Sequence, residues 1–204
     1  MQVSKACGTM YRARLQVPRK ILKQIYSALI QPYLNYCISL WGSSITSSAM
    51  NNLFILQKKC IRIIVGKTAK EGGIFRHTKP FFKNLKILTV YNLYVYFTAS
   101  ELMKTLNTNT PKLLKEYFTI STHSGRFIYP KFNLEYYKTK SFVFNGSKIL
   151  NYLLQQDIPY TGITNYTFKA RLKRHLLTIQ SMSIAGDDGW LPCNQDIFSN
   201  IRLC

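Results

Sequence analysis

No Lys, Arg, Asp or Glu occurs between Gln24 and Gln57, in a chain whose formal charge is +20. So long a neutral run in so basic a protein separates a core from a charged surface. The run ends abruptly at Lys58, Lys59 and Arg62. At about 100° per residue, Leu53, Leu56, Cys60, Ile63 and Ile64 share one side of a helix, with Phe54 and Ile61 widening the stripe. Lys58, Lys59 and Arg62 fall opposite. Ser47 or Ser48 can cap the start, and Gly66 suits the left-handed turn that ends such helices. Two readings of the basic face stand side by side: an ordinary solvated surface, or a row of cations that meets phosphates.

The neutral run is not a membrane span. Between Gln24 and Trp41 it holds Gln24, Ser27, Gln31, Asn35 and Ser39, plus Pro32, which is too polar for the roughly 20 apolar residues a bilayer requires. A buried helix bending at Pro32 is the expectation. The chain has 204 residues, 47% of them apolar, including 14 Tyr and 12 Phe, enough for one domain with a small appendage. Its 28 Lys and Arg against eight acids favour capture of polyanions, with nucleic acid the first candidate and an anionic membrane surface the second.

The five cysteines are odd in number and widely spaced, without a CxxC or a zinc-like Cys/His pairing. Cys37 and Cys60 read as small buried residues, and His77, His123 and His175 are scattered. Neither a metal nor a cofactor is expected. Two Asn sequons begin at Asn145 and Asn165, but no signal peptide precedes them, so a reducing compartment, cytosol or nucleus, is the expectation.

Along the chain, Val3–Leu15 reads as an amphipathic helix bearing Lys5, Arg12 and Arg14. Pro18 fits the first turn of the next helix. The segment 67–79 holds Gly72-Gly73 and reads as a loop. Thr89 can cap a helix over Val90–Leu106, and Pro111 opens another that ends near Tyr117. The aromatic run from Arg126 to Phe144 leaves room for one short β-hairpin, with Pro130 confining its strand to an edge. Helices resume over Lys148–Gln155 and Tyr166–Ile179. In the last, Phe168, Leu172 and Leu176 form the buried stripe, and Lys169, Arg171, Lys173 and Arg174 occupy the rest. Beyond Ser181 periodicity is lost, and a disordered tail is expected.

Several segments in order carry a resemblance. Leu29-Ile30-Gln31-Pro32-Tyr33-Leu34-Asn35-Tyr36 leads to Leu40-Trp41-Gly42, then to Leu56-Gln57-Lys58-Lys59 and Ile61-Arg62-Ile63-Ile64. His77-Thr78-Lys79-Pro80-Phe81-Phe82-Lys83-Asn84-Leu85-Lys86-Ile87-Leu88 is similar to a segment written H-T-x-P-L-F-x-x-L-x-I-L. Gly146-Ser147-Lys148-Ile149-Leu150-Asn151-Tyr152-Leu153 is similar to G-x-K-x-W-N-x-L-P, with Leu150 in place of Trp and Leu154 in place of Pro. Phe168-Lys169-Ala170-Arg171-Leu172-Lys173 is similar to a terminal F-K-x-x-L-K helix. The series resembles the region after the palm in jockey-like non-LTR retrotransposon reverse transcriptases, from about Tyr11 to Leu177.

The resemblance implies a mainly α fold: a thumb-like helical bundle over residues 1–120, then a basic helical region over 121–180 with the short hairpin, then the tail 181–204. It implies grip on RNA or an RNA–DNA duplex, with Lys58, Lys59, Arg62 and Lys67 as one track and Lys169, Arg171, Lys173 and Arg174 as the other. It does not imply catalysis by this chain. Polymerase chemistry needs two metal ions held by carboxylates, and in the family these belong to a palm, expected upstream or in a separate polymerase domain. Gly186-Asp187-Asp188-Gly189 repeats a Gly-Asp-Asp string of viral polymerases, but without flanking apolar strands it reads as an acidic glycine turn. The alternative is a non-functional fragment, or a structural or interaction fragment that needs a partner domain.

Overall fold

The structure, a computed structural model, describes residues 2–44, 47–66, 78–108, 112–134, 140–158 and 162–182. The fold is mainly α. Its helices are α1 (Gln2–Ala13), α2 (Arg19–Leu29), α3 (Gln31–Asn35), α4 (Ile38–Trp41), α5 (Ser47–Val65), α6 (Lys79–Leu85), α7 (Val90–Thr108), α8 (Lys112–Glu116), α9 (Phe142–Gln155) and α10 (Asn165–Met182). The glycine-rich loop, the Gly-Asp-Asp string and the tail from residue 183 lie outside the described residues, as do His77 and Lys67.

Helices α1, α2 and α5 pack on one another as a three-helix bundle. Pro18 precedes the first residue of α2 in extended backbone. The neutral run, however, is not one bent helix. It breaks at Ile30, restarts with Pro32 in the first turn of α3, and breaks again at Cys37, whose φ of 48° lies in the left-handed region. One line of side chains still spans both breaks: Leu22, Tyr26, Ile30, Leu34 and Ile38, spaced four apart, are all buried. The other side faces out. Leu29 and Tyr33 are exposed, Leu40 is 64% exposed and Tyr36 is 76% exposed. Cys37, expected to be buried, is exposed too.

Helix α5 buries a stripe centred about one residue from the expected one. Met50, Phe54, Gln57, Cys60, Ile61 and Ile64 are its deepest members, whereas Leu53 and Leu56 are half-buried. Gln57 is fully buried and acts as a joint between three helices. Its Nε2 donates to Tyr26 Oη of α2 at 3.0 Å and to the Leu88 carbonyl at 2.9 Å. Its Oε1 accepts from the Val90 amide at 2.9 Å, satisfying one of the orphan N–H groups at the start of α7. Thr89 completes the cap, its Oγ1 accepting from Asn92 N at 3.3 Å.

Helix α7 is the centre of the molecule. Val90 through Val95 are all buried, as are Thr98, Ala99, Ser100, Leu102, Met103 and Thr105. Around it pack α3, α4, α5, α8, α9 and α10. Gly146 lets α9 approach closely, because a Cβ there would stand 2.9 Å from Leu102 Cδ1 and 3.1 Å from the Phe118 ring. Asn92 Nδ2 reaches across to the Leu176 carbonyl at 3.3 Å, tying α7 to α10.

Among the described residues the hairpin region is reduced to one antiparallel bridge, Ile120 with Phe127, slightly upstream of the expected site. It closes the turn around Gly125, whose φ is +63°. Asn151 of α9 then brackets Phe127, accepting from its N–H at 2.8 Å and donating to its carbonyl at 3.0 Å. A side-chain amide thus does what a third strand would otherwise do. Phe142–Phe144, the end of the aromatic run that left room for a hairpin, belong with Asn145–Ser147 to the first part of α9. Ser141 caps it by accepting from Phe144 N at 3.4 Å.

Candidate nucleic-acid interface

On α5 the three cations occupy the outer face, but not equally. Lys59 is exposed, while Lys58 and Arg62 are half-buried at the margins. Lys58 leans back over Phe54, its Nζ 4.5 Å from the ring centroid. Burial, with the neighbouring Arg62 charge adding to it, holds the Lys58 ammonium below its ordinary pKa. Two like charges one helical turn apart raise one another's energy.

The bundle supplies further cations that the motif-based reading left out. Arg19 opens α2, and its guanidinium lies against Gly66, at the negative end of the α5 dipole. Lys20 and Lys23 line an open groove of about 560 Å³ along α2, together with Gln24, Ser27 and Ala28. Lys5, Arg12 and Arg14 extend from α1, with the Arg14 guanidinium 3.6 Å from the Tyr11 ring centroid. The signal was available in the sequence: no Asp or Glu precedes Glu71. Every charged side chain of α1, α2 and α5 is therefore cationic, and none has an acidic neighbour within these helices.

The second basic set sits on α10, which packs against α6 and α7. Phe168, Leu172 and Leu176 face inward as expected. Arg171, Lys173 and Arg174 are exposed and Lys169 is half-buried. At about 100° per residue the four spread over roughly 200° of the helix. They form two pairs, Lys169 with Lys173 and Arg171 with Arg174, rather than one row. On the inner side His175 Nε2 and Tyr152 Oη of α9 are hydrogen-bonded at 3.1 Å, and burial holds the His175 imidazole below its ordinary pKa. Tyr94 is buried in the core and Tyr96 is half-buried, its ring meeting Phe97 edge-on, so the aromatic density of α7 is packing material.

Among the described residues no group of three or more His, Cys, Asp or Glu side chains is arranged to hold a metal ion, and no helix is long and apolar enough to cross a membrane. No protein-family model matches the chain, and neither the curated proteins nor the solved structures provide a match.

Proposed function

We propose that the chain binds RNA or an RNA–DNA duplex through its phosphates, as the gripping part of a retrotransposon-type reverse transcriptase. The observation that carries this reading is the layer α1–α2–α5, whose outer faces and groove present Lys20, Lys23, Lys59 and Arg62 and whose three helices contain no Asp or Glu. Contacts of this type position a duplex without reading its bases. On this reading the chain performs no polymerase step of its own: the carboxylates that clamp the two metal ions belong to a palm domain, and the setting is cytosol or nucleus.

The test is binding of a labelled RNA–DNA template–primer at several salt concentrations. Each phosphate contact contributes about −0.9 to the slope of log affinity against log salt for a duplex. Lys20→Gln, Lys23→Gln and Lys59→Gln together are expected to reduce that slope by about 2–3 and to weaken all sequences alike. Absence of binding at low salt, or binding indifferent to salt, refutes the reading. The triple change Arg171→Gln, Lys173→Gln and Arg174→Gln decides whether α10 takes part.

One observation favours a second reading, a fragment that functions only beside a partner domain. Leu29, Tyr33, Tyr36 and Leu40 are exposed along α2–α4, a concentration of large apolar groups that marks docking surfaces. On that reading a palm-containing polymerase domain covers them. Tyr36→Ser with Leu40→Ser would then improve solubility of the isolated chain while abolishing its association with such a domain.

A further inference from the structure

Cys7 of α1 and Cys60 of α5 lie on the buried faces of two packed helices, in one continuous core cluster. Cys7 retains 8% of its surface exposed and Cys60 none. Both are free thiols, and each is the largest influence on the other's acidity. Two thiols on the buried sides of a packed helix pair, one of them at the edge of the core, form a dithiol with an inside and an outside member.

We propose that Cys7 and Cys60 are an oxidation site, closing to a disulfide that staples α1 to α5 when the protein meets hydrogen peroxide. The neighbouring Cys60 thiol is the main influence that lowers the Cys7 thiol, against desolvation by burial, and the nearby Lys59 charge helps. The Cys7 thiol, aided by burial, in turn pushes Cys60 up. Cys7, which alone of the two still reaches the surface, is the attacking thiolate. Its sulfur takes an oxygen from peroxide and becomes a sulfenic acid, releasing hydroxide, which takes up the proton the thiol had lost and leaves as water. The Cys60 sulfur then attacks the Cys7 sulfur and gives up its own proton. The sulfenic oxygen departs as a second water. Two thiols and one peroxide thus give one disulfide and two waters, and a dithiol reductant reverses the change.

The site does not depend on the nucleic-acid reading, because it concerns only the α1–α5 contact. Its closure pins α1, with Lys5, Arg12 and Arg14, to the helix bearing Lys58, Lys59 and Arg62. The crosslink closes a loop of roughly fifty residues, long enough for a rise in thermal midpoint on the order of 10 °C.

The experiment is a titration of the reduced full chain with hydrogen peroxide, followed by alkylation and peptide mass mapping. The expected product has lost two hydrogens, links the Cys7 peptide to the Cys60 peptide, and leaves the exposed Cys37 alkylatable. Its thermal midpoint rises and returns to the starting value with dithiothreitol. Stable oxidation of Cys7 without the link, or linkage through Cys37 instead, overturns the proposal. So does a Cys7–Cys60 link that lowers the midpoint, because the pair would then be strained rather than poised. If Cys7→Ser or Cys60→Ser fails to fold, the wild-type map still decides the matter.

Discussion

Replacing Gln57 with Leu tests whether a buried amide, not apolar packing alone, joins the bundle to the central helix. The change keeps nearly the same volume, so the cavity contribution is small. It removes three hydrogen bonds, to Tyr26 Oη, the Leu88 carbonyl and the Val90 amide. Each group left without a partner in the interior costs about 1–3 kcal/mol. Burying a leucine in place of an amide recovers about 1–2 kcal/mol. The three groups together cost about 3–9 kcal/mol, so the net loss is about 1–8 kcal/mol, centred near 4. For a chain of 204 residues that corresponds to a drop of about 10–15 °C in thermal midpoint. Urea unfolding followed by circular dichroism gives the free energy directly. Two companion variants sharpen the test. Tyr26→Phe removes one partner only and should cost about 1 kcal/mol, and in combination with Gln57→Leu the losses should fall short of additive by about the same amount. Gln57→Glu keeps the shape but buries an acid whose pKa rises. Because its protonated form fits the folded state better, that variant should recover stability as pH falls toward 4 and lose it as pH rises. A Gln57→Leu loss below about 1 kcal/mol, or strict additivity with Tyr26→Phe, would show that the joint contributes little.

Asn151→Leu should cost about 2–4 kcal/mol in the same urea assay, since both the N–H and the carbonyl of Phe127 lose their partner. Proteolysis within residues 119–134 should accelerate with it. Gly146→Ala sets about 1 kcal/mol of helix propensity against crowding of Leu102 and Phe118 worth about 1–3 kcal/mol. A small net loss is expected, with a larger one for Gly146→Val, and stabilisation by alanine would show that the α7–α9 contact can yield. The burial-lowered pKa of His175 means the neutral ring is preferred in the folded state, so its contribution is fully present above pH 6.5 and fades as pH falls below it. The thermal midpoint should decline from pH 7.5 to pH 5, and His175→Gln should flatten that decline.

Much of the helical framework was legible because its elements carry their own punctuation. Helix α10 shows Phe168, Leu172 and Leu176 at four-residue spacing with polar residues elsewhere, and α7 starts at the Thr89 cap. Three features were hidden for specific reasons. A glutamine inside an apolar stripe reads as the edge of the stripe, so Gln57 was passed over although the structure places it at the middle. The break at Cys37 uses a left-handed conformation without glycine, which no local signal announces. The start of α9 is masked by Phe142, Val143 and Phe144, residues that also suit strands, and it takes Ser141 with the contact to α7 to settle them as helix. For the basic surface, motif spacing picked out α5 and α10, whereas the wider layer emerges only when α1 and α2 are folded against α5. Their cations are far apart in sequence and meet through packing alone.

Helix α7 has neighbours on nearly every side, and this has a consequence for how the protein opens. Its backbone amides cannot reach water through fraying of any one surrounding helix, because the others remain in place. Hydrogen exchange along Val90–Met103 should therefore report the loss of the whole fold, whereas α1 and the outer turns of α2–α4 exchange through smaller excursions. The bundle that presents the cations and the helices that follow it are thus bound into one cooperative unit, and a partner that tightens one end should slow exchange in the middle.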